Sequence, residues 1–359
     1  MTSTFSRRTF LTGSAAAAAT LALPQRLFAA NGPLPVGFVY VGPISDHGYT
    51  YAHDLGRKEV EKHYGDQVKV SYVENVAATD AERVIRQLAS AGNKLIFSTS
   101  FSFMNPTVKV ASQFPNVMFE HATGFKQAKN LAIYNARFYE GRAVLGDIAG
   151  QMTKTGVIGW VASFPIPEVI MGMNAFIIAA RKHRPDLTIK VVWCNSWYDP
   201  GKEADAAKAL IDKGADVICQ HTDSAAPMQV AEARGVYTFG HGTDMSRFAP
   251  KMHLTASIDE WGGYYIDRVG KALNGGWSST NSWWGLKEGM VGITPYNPIV
   301  PEAVRVSADK VKAGIIDGSL HPFAGPVKDQ KGTVRIAAGQ TPTDTELLKM
   351  DWYAEGIEN

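Results

Sequence analysis

The sequence predicts an α/β protein whose chain forms two lobes, each built on a parallel β-sheet. Short apolar segments recur about every 20–30 residues and alternate with stretches of helical periodicity, a pattern typical of parallel sheets covered by helices. After a short N-terminal targeting segment, about 330 residues remain, which is more than one hydrophobic core usually serves. The two observations together predict two domains of the same α/β type.

Nine apolar segments are the predicted strands. They are Val36–Val41, Val68–Val73, Lys94–Ser98, Val117–Phe119, Val157–Val161, Ile189–Cys194, Val217–Cys219, Tyr237–Phe239 and Leu254–Ile258. Helical signals lie between them. Thr79 and Glu82 have the spacing of a capping box at the start of one helix, and Gly214 follows a second helix predicted over Glu203–Lys213.

Residues 1–30 are predicted to be a signal peptide. Arg7 and Arg8 precede a small, Ala-rich apolar stretch, and paired arginines in this position favour the twin-arginine export route. The alternative, a structural N-terminal helix, is disfavoured because the segment has no amphipathic pattern. Cleavage is expected near Phe28–Ala30. No cysteine lies near this site, so we expect a soluble periplasmic protein without a lipid anchor.

The charge balance of the chain argues against nucleic acid as a partner. Removing residues 1–30 leaves 33 basic residues against 34 acidic ones, and no dense run of lysine or arginine occurs. Nucleic acid is therefore not expected as a partner. No later stretch approaches the roughly 18 apolar residues that a membrane-spanning helix needs.

The residues that follow the predicted strands are the candidates for a binding site, because ligands of open parallel sheets bind beyond the carboxyl ends of the strands. Aromatic and acidic side chains alternate at these positions. A planar heterocycle needs such a mixture, since aromatic rings stack on its faces and carboxylates accept hydrogen bonds from its N–H groups. The candidates are Asp46, Tyr49, Phe101, Trp197, Asp223 and Asp244.

Sequence motifs of enzymes are missing or broken. The chain has no phosphate-binding loop, no nucleophile elbow and no His-Glu-x-x-His zinc helix. Gly240 and Gly242 begin a sequence like a dinucleotide fingerprint, but Met245 stands where the third glycine should be. His221 and His241, like His47, lack metal-ligand spacing and are interpreted as ordinary loop histidines. No catalytic residue, metal site or cofactor is therefore predicted.

Five segments, taken in their order along the chain, resemble the basic membrane protein (BMP, PnrA-like) family of transporter-associated binding proteins. They are Val36–Val39, Asp46–Thr50, Ser196–Ala204, Gly214–Ile218 and Trp352–Gly356. The resemblance covers the whole chain after the signal peptide. Some members of the family bind purine nucleosides or purine bases.

The resemblance implies a type I periplasmic binding protein fold, with two Rossmann-like lobes and three hinge crossovers. Its implied domain limits are 31–154 plus about 258–285 for the N-terminal lobe, and 155–257 plus about 286–359 for the C-terminal lobe. It also implies a monomeric, non-enzymatic solute-binding protein. The expected partners are a purine ligand and the permease and ATPase of an ABC transporter in the inner membrane.

The resemblance also implies roles for individual residues. Asp46 is expected to accept hydrogen bonds from the purine, Tyr49 to stack on one of its faces, and Trp197 to close the other face from the second lobe. Asp223 and Asp244 are expected at polar positions in the cleft, and Asp244 matches a position that holds ribose hydroxyls in nucleoside-binding relatives.

The chain departs from these nucleoside-binding relatives at Ala256–Trp261, where it lacks their lysine. A free base such as adenine is therefore favoured over a nucleoside.

Several alternatives stay open at this point. Tyr49 and Trp197 also suit a hydrophobic core, and Asp46 and Asp244 also suit helix caps. The same fold could bind another small solute, such as an amino acid, although the strand ends offer little lysine or arginine for a charge clamp. A purine nucleoside hydrolase using Asp46, Asp223 and Asp244 is the enzymatic alternative.

The two cysteines, Cys194 and Cys219, belong to two similar apolar segments interpreted as neighbouring strands. An oxidising compartment would permit a disulfide between them, whereas buried thiols are the other interpretation.

Overall fold

The computed structural model describes residues 32–359. The predicted signal peptide lies outside the described residues. Within them, strands and helices alternate along most of the chain, as the spacing of the apolar segments predicts.

The strands, in chain order, are β1 Leu34–Val39, β2 Val68–Val73, β3 Leu95–Ser98, β4 Met118–Ala122, β5 Leu131–Ala136, β6 Val157–Ala162, β7 Thr188–Trp193, β8 Val217–His221, β9 Tyr237–Gly242, β10 His253–Asp259, β11 Asn281–Trp284, β12 Val291–Ile293, β13 Val327–Lys328, β14 Val334–Ile336 and β15 Ile357–Glu358.

The α-helices are α1 Gly48–Tyr64, α2 Ala81–Ser90, α3 Met104–Gln113, α4 Phe138–Met152, α5 Pro167–Ala180, α6 Pro200–Asp212, α7 Ala226–Arg234, α8 Gly262–Leu273, α9 Glu302–Asp317 and α10 Asp344–Leu347. Short 3₁₀ helices cover Gly65–Gln67, Phe101–Phe103 and Ser246–Phe248.

Two larger sheets organise the described residues. One has six strands in the order β11-β5-β4-β3-β1-β2, and every pair in it is parallel. The other has seven strands in the order β12-β10-β9-β8-β6-β7-β15, and β12 is antiparallel to β10 while the other pairs are parallel. We call the six-stranded sheet with its packed helices the N-terminal lobe, and the seven-stranded sheet with its helices the C-terminal lobe.

The chain passes between the two sheets three times. It leaves the N-terminal lobe after β5, returns after β10 to add β11, and crosses again before β12. This topology confirms the predicted α/β fold class with three crossovers. All nine predicted strand segments coincide with strands, whereas β5 and the short strands β11, β12, β13, β14 and β15 were not predicted.

Local sequence explains how α6 begins. Asp199 precedes Pro200, and its side chain accepts a hydrogen bond from the Lys202 N–H, so it caps the helix. The buried Glu203 side chain reaches back to accept from the Asp199 N–H at 2.8 Å. The capping box predicted at Thr79 is wrong, because α2 starts at Ala81 and its first turn makes no such side-chain cap.

The two cysteines are free and buried. They are not on neighbouring strands, as the sequence suggested, because β6 lies between β7, which ends just before Cys194, and β8, which contains Cys219. Strands in a sheet are about 4.8 Å apart, so the two backbones are separated by roughly 10 Å. This exceeds the Cα separation that a disulfide spans.

Among residues 32–359, no helix combines the length and the apolar character needed to cross a membrane.

Candidate functional site

A cavity lies where the carboxyl ends of strands from both sheets meet. Parallel strands place their following loops at one edge of the sheet, which is where such proteins bind ligands. The N-terminal lobe supplies five of the lining residues and the C-terminal lobe the other five. The lining consists of Val41, Tyr49, Ser100, Phe101, Thr123, Glu168, Trp197, His221, Asp223 and His241.

Three aromatic side chains line this cavity. Tyr49 is in the first turn of α1, and Phe101 begins the 3₁₀ helix after β3. Trp197 comes from the loop between β7 and α6, and its ring packs 5.1 Å from that of Phe164. Its Nε1 donates to Ser102 Oγ of the opposite lobe at 3.3 Å. Aromatic surfaces from both lobes therefore face one space.

Asp223 is the acidic residue that follows β8 in the cavity. Burial raises the pKa of its carboxyl well above the usual range, Glu203 and Glu168 raise it further, and the Tyr49 backbone N–H lowers it. A ligand N–H that donates to this carboxylate would stabilise its charged form, as hydrogen bonding to a buried carboxylate does in general.

Two histidines lie side by side in the lining. His221 ends β8 and His241 is in β9, and their ring centroids are 4.7 Å apart. His221 Nε2 is 3.6 Å from Glu168 Oε1. Burial lowers the pKa of both rings and the charge of Arg142 lowers each further, while the neighbouring Glu168 raises that of His221 in part.

Three buried polar atoms of the lining have no hydrogen-bond partner among the described residues. They are the Tyr49 hydroxyl, Glu168 Oε2 and His221 Nδ1. Leaving such a group unpaired costs about 1–3 kcal/mol, so buried polar groups in proteins are nearly always paired. Their convergence on one cavity indicates a polar ligand that supplies the missing partners.

The lobes touch each other along the rim of the cavity. The Gly48 N–H donates to Thr243 Oγ1 at 2.8 Å, and a Cβ on Gly48 would lie 2.6 Å from the backbone oxygen of Asp223. The rings of His47 and Phe248 meet at a centroid distance of 4.7 Å. These contacts join α1 to loops of the C-terminal lobe.

Asp46 is at this rim and not in the cavity lining, and its role as a hydrogen-bond acceptor for the ligand stays a prediction. Its side chain is 59% exposed and forms an ion pair with Arg247 of the opposite lobe. His47 Nδ1 lies 2.9 Å from the other carboxylate oxygen. His47 and Arg247 hold the pKa of this carboxyl below its usual value. Asp46 therefore contacts the other lobe at the surface.

Asp244 also lies outside the lining, and its role as a polar cleft residue stays a prediction. It is exposed, and its Oδ1 accepts from the Ser246 N–H at 2.9 Å. Gly242, with φ of 75°, turns the chain away just before it. The 3₁₀ helix Ser246–Phe248 that follows has Met245 as its N-cap residue and no side-chain cap, so the alternative of a helix cap at Asp244 is not supported.

Of the six predicted site residues, four line the cavity: Tyr49, Phe101, Trp197 and Asp223. Sequence reasoning missed Glu168 and set aside His221 and His241 as ordinary loop residues. A signal for the histidines was present, because each stands four positions after the start of a strand, and β8 and β9 pair in register. Equal positions on adjacent parallel strands bring side chains together.

The fold is that of solute-binding proteins in solved structures. A solute-binding protein of an ABC transporter system from Aeropyrum pernix K1 aligns with a TM-score of 0.70 at 17% identity, covering 88% of this chain and 97% of that one. A counterpart from Conexibacter woesei aligns with a TM-score of 0.65 at 21% identity, over 80% and 98% of the two chains. These alignments show the fold, an α/β chain of two lobes on largely parallel sheets.

The chain belongs to the family of PnrA-like ABC transporter substrate-binding proteins, whose sequence profile matches residues 34–322. It is 53% identical to a purine-binding protein of Brucella abortus (strain 2308). The alignment is 327 residues long and covers 91% of this chain and 93% of that protein. It is also 36% identical to a Haloferax volcanii protein provisionally named an ABC transporter glucose-binding protein. That alignment is 322 residues long and covers 89% of this chain and 79% of the relative.

A twin-arginine signal sequence profile matches residues 4–24. This match confirms the predicted export signal.

Proposed function

We propose that the protein binds a purine, with a free base such as adenine preferred over a nucleoside, in the cavity between its lobes. The observation that carries the proposal is the combination of aromatic surfaces from both lobes with unpartnered polar atoms in one cavity. A purine has two flat faces for Tyr49 and Trp197, and ring and exocyclic groups that pair with Asp223, Glu168 and the histidines. The name of the Brucella abortus relative points to the same ligand class.

One feature favours the base over the nucleoside. Asp244, the residue that the family resemblance assigned to ribose hydroxyls, is outside the lining and satisfied by the Ser246 N–H. This position of Asp244 supports the proposed preference for a free base.

The site is proposed to deliver its ligand to a membrane transporter. The family supplies solutes to ABC transporters, so the proposed partners are a permease and an ATPase. The export signal supports a periplasmic location. We also propose that the protein is a monomer without a lipid anchor. We keep the predicted domain limits, 31–154 with about 258–285 and 155–257 with about 286–359, as the proposed division into lobes.

Calorimetry on purified protein, unfolded and refolded to remove bound solute, tests the ligand. Adenine, guanine and hypoxanthine are expected to bind more tightly than adenosine by at least about tenfold, or roughly 1.4 kcal/mol. Adenosine binding more tightly by that factor contradicts the preference for a base. Glucose serves as the alternative solute, and saturable binding of glucose without purine binding contradicts the proposal as a whole.

The released solute provides an independent test. Mass spectrometry of small molecules freed on denaturing the freshly purified protein is expected to detect a purine base. Incubation of the protein with adenosine is expected to release no adenine, because the family binds solutes for transport. Release of adenine would favour the hydrolase alternative.

A further inference from the structure

A buried guanidinium lies under the cavity. Arg142, in α4, is 1% exposed, and its Nη2 donates to the Gln220 backbone oxygen at 2.9 Å and lies 2.8 Å from His241 Nδ1. The guanidinium carbon is 5.3 Å from the centre of the Trp160 ring. Within residues 32–359, Arg142 forms no ion pair; burial lowers its pKa, and the nearby Cys219 and Asp259 offset this in part. Its direct polar contacts are therefore neutral groups, and one of them is a residue of the cavity lining.

The contact with His241 determines where the imidazole carries its proton. A guanidinium has five N–H donors and no acceptor, so the ring nitrogen facing it must accept. Nδ1 of His241 is thus unprotonated, and a neutral ring then has its single proton on Nε2. Burial together with the charge of Arg142 holds the pKa of His241 well below its usual range, which keeps the ring neutral.

His241 Nε2 forms no hydrogen bond within the described part of the chain, and His241 lines the cavity. The nearby Asp223 and Glu168 offer carboxylate acceptors. The site therefore has a donor at one point and acceptors at others, a pattern that distinguishes ligands by where they place ring nitrogens, carbonyls and amino groups.

We propose that Arg142 is a positioning residue that holds His241 as the Nε2–H tautomer. The cavity thereby has a fixed hydrogen-bond donor, which selects ligands that place an unprotonated ring nitrogen or a carbonyl opposite it. The selection among purines rests on the function proposed above, whereas the tautomer of His241 does not.

Nitrogen-15 NMR of histidine-labelled protein without added ligand tests the tautomer at pH 7. The His241 signals, identified by their loss in His241→Asn, are expected to show a protonated Nε2 and an unprotonated Nδ1. Arg142→Met is expected to shift them toward the other tautomer or toward exchange between the two. Arg142→Lys, which still donates, is expected to retain the parent pattern. The signals of His183, whose partner is Asp147, are an internal control that should not change.

A proton on Nδ1 of His241 in the parent overturns the proposal, as does free exchange between tautomers. The spectrum of the parent protein shows which nitrogen of His241 carries the proton, even if Arg142→Met does not fold. A purely structural role of Arg142 would change stability in both variants and leave the tautomer of a folded Arg142→Met protein unchanged, which also overturns the proposal.

Calorimetry with adenine and its 1-deaza, 3-deaza and 7-deaza analogues tests the selection, because each analogue replaces one ring nitrogen with C–H. The parent is expected to bind one analogue at least about tenfold more weakly than adenine, since the His241 N–H is then left unpaired. His241→Phe is expected to lose this discrimination, and Arg142→Lys to keep it. Equal binding of adenine and all three analogues by the parent overturns the selection. Failure of every purine to bind, with the expected tautomer present, contradicts the proposed function and supports the positioning role.

Discussion

Gly48→Ala tests whether the lobes must meet at the start of α1 to hold the ligand. Gly48 has φ of 82°, and its N–H donates to Thr243 Oγ1 at 2.8 Å. A Cβ built on Gly48 would lie 2.6 Å from the backbone oxygen of Asp223, much closer than atoms in van der Waals contact. Only the arrangement with the lobes together produces this overlap.

The substitution has two separable costs. A side chain at a positive φ costs about 1–2 kcal/mol of folding stability, whether the lobes are together or apart. The overlap with Asp223 acts only on the closed arrangement and also weakens the Gly48–Thr243 hydrogen bond, itself worth about 0.5–1.5 kcal/mol. A ligand binds more weakly when the state that contacts it best becomes less favourable. We therefore expect Kd for adenine to rise at least about tenfold, which is roughly 1.4 kcal/mol.

Gly65→Ala is the matched control, because Gly65 follows the other end of α1. It also has a positive φ, 51°, but no described atom is within 4 Å of a Cβ built there. It should lose stability and retain affinity. Calorimetry gives Kd, and small-angle scattering with and without adenine reports compaction. If Gly48→Ala binds within twofold of Gly65→Ala and compacts equally, the close approach of the lobes at Gly48 is not required for binding.

Three further outcomes are expected. Trp197→Ala should weaken adenine binding by about 1–3 kcal/mol through lost stacking, while the neighbouring, more exposed Tyr198→Ala should bind like the parent in calorimetry. Burial raises the pKa of Asp223, so the folded protein binds a proton there more tightly than the unfolded chain does; the resulting loss of stability grows as the pH rises above the usual carboxyl pKa, is greatest above the raised pKa, and vanishes only as the pH falls to the usual one. Asp223→Asn should therefore raise the thermal unfolding midpoint of ligand-free protein more at pH 7.5 than at pH 4.5; equal shifts would refute this. Replacing Arg7 and Arg8 with lysine should leave precursor in the cytoplasm on fractionation, and normal periplasmic accumulation would count against the twin-arginine route.

The strands were predictable because a strand buried on both faces needs a continuous apolar segment, and nine such segments stand out in the sequence. The strand β5 was missed since its apolar character is diluted by small alanines and by Asn135. The edge strands β11 and β12 are short, and their partner strands are distant in sequence. Pairing over such distances depends on the packed tertiary structure, which local patterns do not encode.

The ends of the strands predicted where the cavity lies, but not which side chains face it. Asp46 and Asp223 both follow strands, yet only Asp223 is in the lining. The difference arises from backbone turns, since Ser45 has φ of 42° and the loop after β1 directs Asp46 to the rim. His241 was discounted because an isolated histidine has no distinguishing spacing. Its role depends on Arg142, which is distant in sequence and buried beside it.

The separation of Cys194 and Cys219 by β6 has a consequence for how the protein is made. The twin-arginine route carries chains that have already folded, and folding then takes place in the cytoplasm, where thiols remain reduced. Since no covalent bridge joins the described cysteines, the fold can be completed there without an oxidant. Arrival in an oxidising compartment also changes little, because burial raises the pKa of both thiols, Cys194 to about 11, and suppresses the reactive thiolate. The same structure can therefore persist on both sides of the membrane.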